Sequence, residues 1–142
     1  MRISAKGEYA LKAMLDLSLQ PWRRTVPIQE IAARQGIPQR YLEQVLQSLK
    51  HAELLAARRG AAGGYQLTRR PEEVTVGDVL RAVEGAQATL GMRNGRGQRT
   101  PDLAELWAEI DRALSQVVDH LTFSELAERA RARTGAQAMY HI

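Results

Sequence analysis

Apolar residues in the first fifty positions recur every three or four residues, the spacing of helices that bury one face. Ala10, Leu11, Met14, Leu15 and Leu17 hold that rhythm from a capping residue at Ser4 until Pro21. A second, shorter helix is predicted over Ile28 to Gln35, with Ile31 and Ala32 inward and Gly36 placed for a left-handed turn. Pro38 then opens a third helix, "PQRYLEQVLQSLKHA", whose buried stripe is Leu42, Val45, Leu46 and Leu49. Next the period shortens. Leu54 to Arg59 and Gly64 to Thr68, joined by "GAAG", read as a β-hairpin with Tyr65 and Leu67 alternating inward.

Thr75 with Asp78 three residues later predicts a capping box, starting a helix with Val79, Leu80 and Val83 that stops at Gly85. Residues 85–101 carry four glycines and three arginines without apolar periodicity, and read as a loop or disordered segment. Beyond Pro101 a long helix shows Leu103, Leu106, Trp107, Ile110, Leu114, Val117, Val118 and Leu121. Thr122 and Glu125 mark a second capping box and a last helix to about Arg133, with a frayed tail after Gly135. The fold class is therefore mainly α with a small β-hairpin.

A short helix, a glycine turn and a second helix with one apolar stripe describe a helix-turn-helix, and the hairpin completes a winged version. On the third helix the face opposite the stripe carries Arg40, Gln44, Gln47 and His51, with Gln39 and Glu43 near its N-terminal end. Arg, Gln and Glu are side chains able to pair with base edges in a major groove. The hairpin, "RRGAAGGYQLTRRP", has side-chain-poor residues at its tip and arginines, Arg58 and Arg59 first, at its base. That composition suits a narrow minor groove, whose concentrated negative potential attracts arginine. An ordinary hairpin with solvated arginines would read the same way in isolation.

Charge supports an anionic partner. The net charge is +4, and residues 1–75 hold 12 Lys/Arg against 7 Asp/Glu while the remainder holds 8 against 9. There are no cysteines, which removes disulfides, thiolate metal sites and cysteine-ligated iron–sulfur clusters. The expected metal and cofactor complement is none. His51, His120 and His141 lie far apart in sequence and read as surface residues. No run of about 18 apolar residues suggests a membrane span. Glu8, Lys12 and Asp16 interrupt the N-terminal apolar stretch, so it does not read as a signal peptide, and a cytoplasmic location is expected. "GAAGG" lacks the lysine and helix of a phosphate-cradling loop, and no catalytic constellation emerges, so an enzyme is not expected.

The stretches "ISAKGEYALKAMLDLS", "IQEIAARQGIPQRYLEQVLQSLKHAELL", "RRGAAGGYQLTRRPEEVTVGDVLRAVEG" and "LTFSELAERA" resemble the Rrf-two (Rrf2) family of bacterial winged helix-turn-helix regulators over roughly residues 2–130. The family includes iron–sulfur-cluster, nitric-oxide-responsive and cysteine-metabolism regulators. The resemblance implies a homodimer bound to a near-palindromic double-stranded DNA operator, acting as a repressor. It implies that Gln39, Arg40, Tyr41, Glu43 and Gln44 lie on the recognition helix and Arg59 and Gly60 on the minor-groove wing. Arg2 and Lys6 would lie near phosphates, and the stripe from Leu103 to Leu121 would pair with its counterpart. Tyr41 also sits at the edge of the buried stripe, so a packing role stays open.

The implied division is a DNA-binding domain over 1–84, a sensing loop over 85–100 and a dimerisation segment over 101–142. Iron–sulfur members carry three cysteines in the loop that here reads "LGMRNGRGQRTPDL", which has none. A small-molecule or protein effector of that loop is left open, with Arg93, Arg96 and Arg99 either anion-binding or solvated. The alternative function is a protein-interaction module, like the cysteine-metabolism repressor, that works through a complex with a metabolic enzyme.

Overall fold

A computed structural model describes residues 3–85 and 101–140, the last four as helical backbone only. Helix α1 (Ala5–Ser18) begins where expected. The Ser4 hydroxyl oxygen accepts a hydrogen bond from the Gly7 amide at 3.1 Å, satisfying one of the orphan donors of the first turn. Helices α2 (Ile28–Gln35) and α3 (Gln39–His51) are separated by Gly36 at φ 64°, a conformation that costs a residue with a Cβ but not glycine. Strands β1 (Leu55–Arg58) and β2 (Gly64–Leu67) pair antiparallel, from Leu55 opposite Leu67 to Arg58 opposite Gly64. Each is shorter than the sequence pattern suggested, because Leu54 and Thr68 close the hairpin through a single backbone bond.

Val26 adds a third short edge to this ribbon, exchanging hydrogen bonds of 2.8 and 2.9 Å with Tyr65. The hairpin is thereby tied to the segment that enters α2. A Cβ on Gly64 would collide with the Val26 carbonyl, so only glycine permits that approach. A 3-10 turn at Pro71–Glu73 leads into α4 (Val76–Glu84), where both hydrogen bonds of the Thr75–Asp78 capping box form at 3.1 and 3.0 Å. A second 3-10 turn at Pro101–Leu103 precedes α5 (Ala104–His120), and α6 (Phe123–Tyr140) follows.

The core joins Ala10, Ala13, Met14 and Leu17 of α1 to Ile31 of α2 and to Leu42, Val45, Leu46 and Leu49 of α3. Leu55 and Leu67 close it beneath the hairpin, and Val79 of α4 completes it. Each fully buried leucine contributes about 1.5–3 kcal/mol through removal of apolar surface from water.

Phe123, the only phenylalanine, is fully buried in the same core. No periodicity singled it out. It is anchored by its own backbone, with the Phe123 amide donating to the Val74 carbonyl at 3.0 Å and the Val76 amide to the Leu121 carbonyl at 2.9 Å. Helix α6 then packs on α1, and the helix continues to Tyr140 rather than ending near Arg133. Gly135 costs about 1 kcal/mol relative to alanine inside a helix, too little to stop one continued by Ala136 and Ala138. The segment 86–100, expected as a loop, lies outside the described residues.

Candidate nucleic-acid interface

Helix α3 is two-faced. Leu42, Val45, Leu46 and Leu49 are buried, while Gln39, Arg40, Tyr41, Glu43, Gln44, Gln47 and His51 are all exposed. Its N-terminus carries no side-chain cap, leaving first-turn amides and the positive dipole end turned outward. Lys50 and His51 in the last turn complement the opposite end.

The rigid seat of this helix is a clamp that spacing alone did not reveal. Asp16 on α1 is 2 % exposed, and Arg34 on α2 donates to it from Nε and Nη2, each at 2.9 Å. Gln35 Nε2 donates to the same carboxylate at 3.2 Å, and Arg34 reaches Glu30 at 3.0 Å. Hydrogen bonding to Asp16 raises the pKa of Arg34 further above its ordinary value, outweighing the opposing effect of burial. The guanidinium stays charged at every relevant pH, and the α1–α2 angle is held by a bidentate pair.

Lys6 stands exposed on the first turn of α1 and shares with Tyr9, Tyr41 and Gln44 the lining of a cavity of about 280 Å³. One predicted phosphate-facing residue is thus brought beside two predicted recognition residues. Arg2 lies outside the described residues. On α3 itself, Arg40 stacks over the Tyr41 ring with its guanidinium carbon 4.7 Å from the ring centre.

At the hairpin, Arg58, Arg59 and Gly60 are exposed, and neither arginine is held in an ion pair among the described residues. Gly60 has φ 110°, and its carbonyl accepts from the Gly63 amide at 2.9 Å. A Cβ on Gly63 would strike the Arg58 and Gly60 carbonyls, so the tip must be bare for the turn to close. In the second arginine pair, Arg70 behaves differently. Arg70 stacks on Trp22 at 4.9 Å, with Arg23 over the same indole at 5.5 Å, so it is engaged at the foot of the hairpin. Burial, aided by the negative charge of Glu43 on α3, pushes the Tyr65 hydroxyl upward from its usual pKa.

Helix α5 has no buried residue. Leu103, Leu106 and Val117 are 42 %, 45 % and 62 % exposed, while Trp107, Ile110, Leu114, Val118 and Leu121 are half-buried. One chain therefore leaves three residues of the predicted apolar stripe exposed and the other five only partly covered. On its other side α5 is tied to α4 by an ion pair between Arg81 and Asp119. Among the described residues no three His, Asp or Glu side chains come together to hold a metal, and no helix is long and apolar enough to cross a membrane.

Comparison with known proteins agrees with this geometry. The Rrf2 family profile, described as an iron-dependent transcriptional regulator, matches residues 3–129. The chain is 38 % identical over 129 residues to the HTH-type transcriptional regulator IscR of Aliivibrio salmonicida, covering 89 % of this chain and 77 % of that protein. It is 32 % identical over 140 residues to CymR of Bacillus subtilis, an HTH-type transcriptional regulator, covering 99 % of each. The solved structure of B. subtilis CymR, titled as the global cysteine regulator, superposes with a TM-score of 0.78 at 32 % identity, over 91 % of this chain and 98 % of that one. IscR of T. potens gives 0.74 at 31 % identity, over 92 % and 88 %. The chain belongs to the Rrf2 family of transcriptional regulators, with the winged helix-turn-helix fold of its relatives.

Proposed function

We propose that this Rrf2-family chain works in the cytoplasm as a homodimer that reads a two-fold operator and represses by occupying the promoter. The observation that carries the reading is the uncommitted polar face of α3 set next to a bare-tipped, arginine-bearing hairpin. Gln39, Arg40, Glu43 and Gln44 would address base edges in the major groove, with Tyr41 at their border. Arg58, Arg59 and Gly60 would follow the adjacent minor groove, and Arg2 and Lys6 would meet flanking phosphates. Residues 1–84 would supply the reading head, 85–100 an effector segment and 101–142 the pairing helix, with α6 returning onto the head.

Pairing through α5 would place two reading heads about 34–36 Å apart, one turn of DNA. Burying Leu106, Ile110 and Val117 against their counterparts would remove the apolar stripe from water.

The family is described as iron-dependent, yet this chain has no cysteine to ligate a cluster, and its described residues bring no metal-holding group together. The residues present do not fit a thiolate-held cluster, and no step is routed through one. We propose instead a regulator without a bound cofactor and without enzymatic turnover, tuned by a small-molecule or protein effector.

The test is a binding titration on genomic fragments selected by the protein, repeated from about 50 to 200 mM salt. Six to ten arginine and lysine contacts to phosphates across a dimer would lower affinity by about 10³–10⁵ over that range. Gln44→Ala should relax discrimination at one base pair by about 1–3 kcal/mol. Lys6→Ala should weaken operator and scrambled duplex alike. Salt-independent binding without fragment preference would overturn the reading.

A further inference from the structure

Neighbouring residues on a helix point about 100° apart and do not normally meet. Arg40 and Tyr41 do. The guanidinium lies 4.7 Å from the centre of the Tyr41 ring, and Arg40 Nη2 donates to the Tyr41 hydroxyl at 2.8 Å. Glu43, three residues further on, is a formal ion-pair partner at favourable helical spacing, yet Arg40 forms no ion pair with it. Tyr41 faces a cavity that it lines together with Ala5, Lys6 and Tyr9 of α1, and it remains 42 % exposed.

We infer that Tyr41 is a positioning residue, which stacks and hydrogen-bonds Arg40 so that its remaining N–H donors face outward in a fixed orientation for one base pair. The inference rests on the reading of α3 as the recognition helix.

Its chemistry follows from the guanidinium. Arg has five N–H donors in a planar fork, and the Tyr41 hydroxyl engages one nitrogen. Nη2 keeps a second N–H, which with the neighbouring N–H on one edge of the fork can still present two parallel donors to the O6 and N7 acceptors of a guanine. A free arginine on a helix surface samples many rotamers, and binding must select one. The aromatic face and hydroxyl make that selection before DNA arrives, so the gain appears as discrimination between duplexes rather than as general affinity. A tyrosine that simply touched a phosphate would strengthen every duplex equally.

The experiment compares wild type, Tyr41→Phe, Tyr41→Ala, Arg40→Ala and the Tyr41→Phe/Arg40→Ala double variant on a selected operator and a scrambled duplex. Tyr41→Phe keeps the ring and loses the acceptor, so it should lower the operator-to-scrambled ratio about 3-fold. Tyr41→Ala should lower it about 10-fold. In the Arg40→Ala background Tyr41→Phe should do nothing further. Equal losses on both duplexes, or additive effects in the double variant, would overturn the inference.

Proton NMR of the DNA-free protein provides an independent readout. The Arg40 side-chain protons should be shifted upfield by the ring current in wild type and Tyr41→Phe, and lose that shift in Tyr41→Ala. An unshifted wild-type Arg40 overturns the clamp whatever the DNA result. Failure of wild type to discriminate duplexes, with the ring-current shift present, overturns the recognition-helix reading and leaves the clamp without a base to read.

Discussion

Arg81 of α4 lays its guanidinium edge against the carboxylate of Asp119 on α5, forming parallel hydrogen bonds of 2.6 and 2.9 Å across 38 residues of sequence. The pair lies beside the backbone bridge between Thr75 and Thr122, so α4 and the end of α5 are joined by side chains and main chain together. Helix α4 also packs on α1 and α3. The angle between α4 and α5 is therefore held by a polar clasp at one end of α5, while Leu103, Leu106 and Val117 of its apolar stripe stay exposed.

The clasp predicts a pH signature. Hydrogen bonding from Arg81 lowers the Asp119 pKa, against an opposing effect of burial. A depressed folded pKa gives stability that is present above the unfolded value of about 4 and lost as pH falls through the folded one. With the two side chains 39 % and 36 % exposed, solvent screening leaves the pair about 0.5–1 kcal/mol. Asp119→Asn should lower the urea midpoint at pH 7 and converge on wild type as pH falls through the depressed folded value. A gap that persists unchanged at acid pH would refute this account.

Gly77→Ala tests the same contact from beneath. A Cβ there would fall onto the Asp119 carboxylate and press the Arg81 guanidinium, forcing them apart. Alanine gains about 1 kcal/mol in helix propensity, which the lost pair of similar size offsets. The substitution should be close to neutral in wild type and stabilising by about 1 kcal/mol in an Asp119→Ala background, measured by denaturant unfolding. Equal effects in both backgrounds would show that Asp119 does not limit this site.

Arg34→Met should be costly, because Asp16 would stay buried as an anion with Gln35 as its remaining side-chain donor. Breaking a buried pair from one side costs about 3–5 kcal/mol, reduced here to about 2–3 because Arg34 is 38 % exposed. Adding Asp16→Asn to Arg34→Met removes the stranded charge and should recover stability in a thermal melt. A double variant weaker than Arg34→Met alone would contradict that reasoning.

Ile110→Asp should place a carboxylate in the proposed seam between paired α5 helices, yielding monomers by light scattering and roughly 10-fold or weaker operator binding. The isolated chain should still fold, since no residue of α5 is buried within it. A dimeric variant would move the interface away from α5.

Much of this protein was legible as sequence because the features are local. The α3 stripe, the left-handed Gly36 and the Thr75–Asp78 box each lie within a few residues, where period and hydrogen-bonding chemistry leave few choices. The polar face of α3 was legible for the same reason, since a helix that buries Leu42 and Leu46 must turn Arg40 and Gln44 outward.

What remained hidden depends on where distant segments meet. Nothing near Asp16 announces that Arg34 will neutralise it, and nothing near Phe123 announces that the chain will hook it onto Val74 and bury it. Val26 becomes a strand edge only when Tyr65 arrives beside it. Arg40 and Tyr41 are adjacent in sequence, yet helical spacing argues against their contact, and only the folded side-chain conformations bring them together. Short-range periodicity determines which face of each helix is dry. Which charge finds which partner is decided only when the folded core carries those faces together.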